Sequence, residues 1–396
     1  MGNPQQQNNK IPIPVIIILL LSSLQSLLSS SSSSPFDIMM NDQSSKNVII
    51  VLITGASGML GRSIYKHFHQ YTFLHTSKNK PYSYECIGTA YSRCQPPYIQ
   101  LNLLNQDDIR STIRQIKPNI IIHCAAERYP DKAESDPKRT MELNVQSTRV
   151  IAEECKKMNI LMVYISTDYV FDGGIKSGVL PPYDIDSITR PINLYGQSKL
   201  DGEKAVFSVF ERSNHNDYDN KGTAMIVRVP VLYATDCDDL SESATLVIAK
   251  MLLPSCNDDN NACNPKMIDH WGIRFPTLVD DVSCVLRLIT TTMNNIDDAN
   301  NNNKVQILHI SSPEQCTKYE LAQCMANIIG MSDNMFKKMI QPDSKPPSGV
   351  PRPRNTQLNC SQTWKVLQME NEPYRFMPLK EGIKSALEPF MDQFDP

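Results

Sequence analysis

Tyr195 and Lys199 stand four residues apart in Asn193-Leu-Tyr-Gly-Gln-Ser-Lys-Leu-Asp-Gly-Glu-Lys204, a stretch that reads as a helix. At that spacing the two side chains share one helix face. An ammonium beside a phenol favours the phenolate and lowers its pKa. Such a phenol can pass a proton to or from a carbonyl or alcohol oxygen while a nicotinamide moves the hydride. Thr167 follows the apolar run Ile160-Leu-Met-Val-Tyr-Ile-Ser166 and could hold the same oxygen by a hydrogen bond. A Tyr-x-x-x-Lys pair alone is common on helix surfaces, so the elements around it must decide.

The most informative of these is Thr54-Gly-Ala-Ser-Gly-Met-Leu-Gly61. Before it runs Asn47-Val-Ile-Ile-Val-Leu-Ile53, apolar and β-branched; after it, Arg62 to Phe68 has helical apolar spacing. A buried strand, a glycine-rich turn and a helix make a dinucleotide-binding unit. Gly55 permits the tight turn, Gly58 lets the backbone approach a pyrophosphate, and Gly61 brings helix and strand together. The pyrophosphate would sit on the unpaired amides of the helix N-terminus, beside Ser57, Met59 and Leu60. The spacing is G-x-x-G-x-x-G, so the motif rests on its context, an ordinary strand-to-helix turn being the alternative. Tyr84 to Ala90 reads as the second strand, followed by Tyr91-Ser92-Arg93 without a carboxylate. An arginine there suits the extra phosphate of NADP(H), whereas an acid would suit NAD; an exposed loop arginine is the competing reading.

Further strands are expected at Tyr98–Asn102, Asn119–Ala126, Ile160–Ser166 and Ala224–Val229, with helices at Gln106–Ile116 and Asp136–Met158 between them. Alternation of this kind predicts an α/β fold, a Rossmann-type doubly wound parallel sheet whose ligands bind at the carboxyl ends of the strands. Beyond residue 235 the alternation loosens. Ser243–Leu253 reads as a helix, and Thr277-x-x-Asp280 and Thr317-x-x-Glu320 fit helix starts, with Val305–Ile310 a strand between their helices. The expected organisation is a leader at 1–45, an NADP-binding domain at 46–235 and a smaller α/β C-terminal lobe at 236–396. Arg352 and Arg354, in a proline-rich stretch, are candidates for the cleft between lobes or for a solvated loop. Three stretches rich in Asn and Asp, Glu211–Lys221, Cys256–Pro265 and Asn294–Lys304, read as solvated insertions.

A net charge of −3 over 396 residues argues against nucleic acid or an anionic membrane as the main partner. The eleven cysteines are odd in number and lack a Cys-x-x-Cys, which fits free thiols in a reducing compartment. The seven histidines lack zinc spacing, so no metal site is expected. Residues 1–45 resemble a signal peptide, with Lys10, an apolar core Val15–Leu21 and a serine run. Met39-Met40 just ahead of the first strand fits an upstream start instead. The expectation is a cytoplasmic protein, with a secretory or organellar alternative.

From Lys46 to Phe390 the chain resembles the extended short-chain dehydrogenase/reductase family. The resemblance is closest to the branch holding dTDP-4-dehydrorhamnose reductases and the regulatory beta subunits of methionine adenosyltransferase. It rests on Ser166-Thr-Asp-Tyr-Val-Phe-Asp-Gly173 and on Asn193 to Glu203. His123–Asp131, Val227–Tyr233, Asp269–Thr277 and Pro351–Asn359 resemble the beta subunits more than the sugar reductases. This resemblance implies a regulatory role, with NADP(H) bound and a methionine adenosyltransferase catalytic subunit as partner. It implies cofactor contacts at Ser57 to Leu60, Tyr91 to Arg93, Asn102, Leu103, Cys124, Arg128, Tyr195 and Leu232. Any reductase chemistry would rest on Thr167, Tyr195 and Lys199, and an active reductase of a nucleotide-linked 4-keto sugar is the alternative. Beta subunits carry a longer basic, aromatic tail that engages the partner, whereas this chain has the acidic Met391–Pro396.

Overall fold

Seven parallel strands form the central sheet. The computed structural model describes residues 47–70, 82–211, 222–253, 265–293 and 305–394. The leader, and nearly all of the three Asn- and Asp-rich stretches, lie outside the described residues. Val48–Pro396 forms a unit by itself.

The strands are β1 (Asn47–Thr54), β2 (Tyr82–Ala90), β3 (Ile99–Gln100), β4 (Ile120–His123), β5 (Leu161–Thr167), β6 (Ala224–Val229) and β7 (Val305–His309). Their order in the sheet is β7-β6-β5-β4-β1-β2-β3. The chain reverses its direction of travel between β1 and β4, which leaves a crevice at their carboxyl ends. Val51, Ile53, Ile120, Ile122, Val163 and Met225 face one core layer. Leu52, Ile121, Met162, Tyr164 and Ile226 face the other. Both faces are covered, which is why the strands read as unbroken apolar runs rather than alternating ones.

Six longer helices carry the layers: α1 (Met59–Gln70), α2 (Gln106–Ile116), α3 (Ser147–Met158), α4 (Leu194–Phe210), α5 (Val279–Met293) and α6 (Lys318–Ile328). Asn193 caps α4 by accepting from the Gly196 amide at 2.8 Å. Thr317 and Glu320 form the expected reciprocal cap of α6. The expected cap at Thr277 does not form. Thr277–Leu278 pairs instead with Leu232–Tyr233 as a short parallel ladder, and the Thr277 hydroxyl accepts from the Ser312 amide at 2.9 Å. Asp280 is used differently, accepting from Ser63 of α1 at 2.6 Å. The helix expected at Ser243–Leu253 is a 3₁₀ turn at Leu246–Leu252. The long helix expected at Asp136–Met158 is interrupted by a π-helical turn at Glu142–Gln146 before α3.

Residues beyond 235 are built into both layers. β7 pairs with β6 from Val305↔Ala224 to His309↔Arg228, and α5 packs on α1 through Ser63 and Ser283, 2.7 Å apart. Among the described residues no helix is long and apolar enough to cross a membrane, and no group of three His, Cys, Asp or Glu side chains could hold a metal ion.

Candidate functional site

Two adjoining cavities open at the carboxyl ends of the strands. The first, about 470 Å³, is lined by Gly55, Ser57, Gly58, Met59, Leu60 and Gly61 of the turn, Tyr91, Ser92 and Arg93 after β2, Asn102 and Leu103 after β3, and Cys124 and Arg128 after β4. The second, about 430 Å³, holds Thr167, Tyr195, Lys199 and Leu232. Leu60, Cys124, Ala126, Arg128 and Tyr129 border both. The topology thus gathers the candidate cofactor and proton-transfer residues into two linked spaces of ligand size.

The glycine turn has the geometry that its sequence anticipates. Gly55 has a φ of 69°, in the left-handed region. A Cβ on Gly61 would stand 2.3 Å from the Gly55 carbonyl oxygen, so only glycine lets α1 approach β1 this closely. At Gly58 an added Cβ meets only the Gly55 oxygen, at 3.3 Å, and its other side is the cavity itself. A backbone cradle beside the first turn of a helix fits a pyrophosphate.

Arg93 does not stand free. Its guanidinium meets Glu242 at 3.0 Å. Glu242 also accepts from Arg62 at 3.0 Å, and its backbone oxygen accepts from Arg128 at 2.5 Å. A carboxylate therefore does face the Arg93 end of the cavity, but it comes from a turn some 150 residues further on, Leu240–Glu242. No local signal announces it. The only hint in the sequence is the acidic run Asp236 to Glu242 set against the basic positions of α1.

Around Tyr195 the structure corrects one expectation. Burial pushes the Tyr195 phenol up to about 12, against a hydrogen bond with Thr167 that favours the phenolate. Lys199 does not depress it. Instead its ammonium lies 4.0 Å over the Tyr164 ring, and burial holds the lysine down at about 7. A lysine that is only partly charged near neutrality depresses a neighbouring phenol weakly. Thr167 is engaged locally: its hydroxyl donates to Asp168 at 3.1 Å and accepts from the Tyr169 amide at 3.2 Å. Asp168 is itself buried and pushed up to about 6 by that burial, with a hydrogen bond from Thr356 opposing the rise. Arg352 lines the second cavity and pairs with Asp131 at 2.6 Å. Arg354 is exposed and lines neither cavity. Arg274 and Lys318 also line the second cavity, and no local motif in the sequence marks them for it.

The Lys199 shift has a measurable consequence. Its folded pKa, about 7, lies below the ordinary 10.5. Between those values the unfolded chain binds the proton and the folded chain does not, so this group's contribution to stability rises with pH across the window. Lys199→Met should therefore gain most over the parent below pH 7, and the gain should shrink toward pH 10.5. Urea midpoints at several pH values test it; a difference that stays constant with pH would remove the claim.

The rest of the 166–203 signature is structural. Glu203 and Arg228 form a bidentate ion pair at 2.8 and 2.9 Å, both nearly fully buried. Ser166 donates to Glu203 at 2.5 Å. Asp172 accepts from the Gly174 and Lys176 amides at 2.9 and 2.7 Å and so shapes the following loop.

The family model described as the RmlD substrate binding domain matches residues 49–388. A curated relative from Xenopus tropicalis, methionine adenosyltransferase 2 subunit beta, is 38% identical over 340 residues, 86% of this chain and 87% of that protein. Among solved structures, dTDP-4-dehydrorhamnose reductase from Bacillus anthracis, in complex with NADP, superposes with a TM-score of 0.59 at 22% identity, covering 86% of this chain and 98% of that one. MoeE5 in complex with UDP-glucuronic acid and NAD gives 0.64 at 18% identity, covering 85% and 97%. At these identities the two structures speak for the fold.

Proposed function

The chain belongs to the RmlD substrate binding domain family and, within it, to the group of methionine adenosyltransferase 2 beta subunits; from that premise we propose that it is a regulatory subunit. On this reading it binds NADP(H), joins a methionine adenosyltransferase catalytic subunit and modulates S-adenosylmethionine synthesis. The observation that carries the reading is the likeness to the beta subunit along 86% of the chain. The cofactor is supported by the glycine cradle and by Arg93 at the ribose end of the first cavity. Bound there, NADPH would supply a hydride; the chain's own residues orient it and hold a phenol and an ammonium beside it. Nine cysteines among the described residues are free thiols, which supports a cytoplasmic setting.

Co-expression with a methionine adenosyltransferase catalytic subunit tests this directly. The expected result is co-elution on size exclusion at micromolar concentration and a changed rate of S-adenosylmethionine formation. The second reading, NADPH-dependent reduction of a nucleotide-linked 4-keto sugar, is favoured by Thr167, Tyr195 and Lys199 lining one cavity. Absence of a complex, together with NADPH oxidation on a dTDP-4-keto sugar, would replace the first reading by the second.

A further inference from the structure

The acidic segment Asp236–Glu242 lies across the start of α1. Asp236 pairs with Lys66, and its backbone oxygen accepts from Arg62 at 3.1 Å. Asp239 meets Lys250 at 2.9 Å. Glu242 ends the segment inside the first cavity, bridging Arg62 and Arg93 at 3.0 Å each. Its side chain is 16% exposed, whereas that of Arg93 is 55% exposed. The Glu242 end of the bridge is therefore fixed and the Arg93 end is open to solvent and to exchange.

We propose that Glu242 is a built-in counter-anion of the dinucleotide cavity and sets its preference between phosphorylated and plain adenosine ribose. The proposal rests on the reading of the first cavity as the NADP(H) site. A ribose 2′-phosphate carries about −1.5 to −2 charges near neutrality, and it binds by taking Arg93 from the carboxylate. Two anions then face one another across a few ångströms, which opposes the phosphate. A ribose with a free 2′-hydroxyl meets no such opposition, and its hydroxyl can donate to the carboxylate. Glu242 thus handicaps NADP(H) relative to NAD(H), and Arg93 alone does not fix the preference. An exposed ion pair is weak and readily exchanged, which keeps phosphate binding possible.

The test is calorimetric titration of the full chain with NADP⁺ and with NAD⁺, repeated with adenosine 2′,5′-bisphosphate and 5′-AMP. Glu242→Gln keeps the shape and removes the charge. It should tighten NADP⁺ and the bisphosphate about tenfold and change NAD⁺ and 5′-AMP less than about twofold, with the gain shrinking as salt rises. Glu242→Asp, which keeps the charge, should hold the parent preference. Adding Arg93→Ala to Glu242→Gln should cancel the gain. Unchanged or weaker NADP⁺ binding in a folded Glu242→Gln protein, with NAD⁺ and NADP⁺ both bound by the parent, overturns this proposal and leaves the cofactor reading standing. A folded parent that binds neither dinucleotide overturns both.

Discussion

Glu203→Ala should cost about 3–5 kcal/mol of folding stability, because it leaves the Arg228 guanidinium buried without its counter-charge. The pair is bidentate at 2.8 and 2.9 Å and both side chains are at most 3% exposed. Arg228 keeps the Ile185 carbonyl at 3.1 Å and His309 Nε2 at 3.4 Å, neither of which supplies a counter-charge, and Ser166 loses its acceptor. Urea unfolding measures the loss. Replacing both partners together, with Glu203→Met and Arg228→Met, should recover most of it, since an apolar pair needs no compensating charge. A single variant within about 1 kcal/mol of the parent would show that water or a rearranged neighbour satisfies Arg228, and would sink the account.

The second large effect is at the turn. Gly61→Ala places a Cβ 2.3 Å from the Gly55 oxygen and 2.8 Å from the Ala56 Cα. Both obstacles are backbone, so no rotamer change relieves them. Either α1 moves from β1 or the turn opens, at about 1–3 kcal/mol. The same movement disturbs the cradle, and NADP⁺ binding should weaken at least tenfold, by analogy with other close-packed ligand turns. Melting temperature and dinucleotide titration read the two effects separately. Parent-like values in both would mean that the close approach of α1 is dispensable.

The parts of the molecule that were legible in sequence are those in which neighbours along the chain decide the outcome. β1, β4 and β5 are apolar runs because both faces are covered, and Asn193 and Thr317 start helices with donors and acceptors three residues away. Gathering the candidate residues into two cavities also followed from the alternation, since parallel strands bring their carboxyl ends together. What escaped depends on distant partners. Glu242 meets Arg93 across 149 residues, and no periodicity reports that. Thr277-x-x-Asp280 looked like a cap, yet Ser312 and Ser63 claim the two side chains. Lys199 lines the same cavity as Tyr195, but burial lowers its own pKa, and burial is a property of the assembled layers.

β7 has a consequence for the order in which the molecule is made. Its residues, Val305–His309, complete the sheet by pairing with Ala224 to Arg228 of β6, which ends at Val229. A ribosome releasing the chain from its N-terminus exposes the glycine turn and six strands while the outer neighbour of β6 is still unsynthesised, only β5 being in place on its other side. During that interval β6 is an open edge with unpaired amides and carbonyls, the kind of edge that templates aggregation. Contacts so distant in sequence close slowly, because loop entropy must be overcome before they form. The nascent chain is therefore most vulnerable between emergence of residue 229 and residue 309, and its yield should depend on chaperone supply in that window more than on the stability of the finished fold.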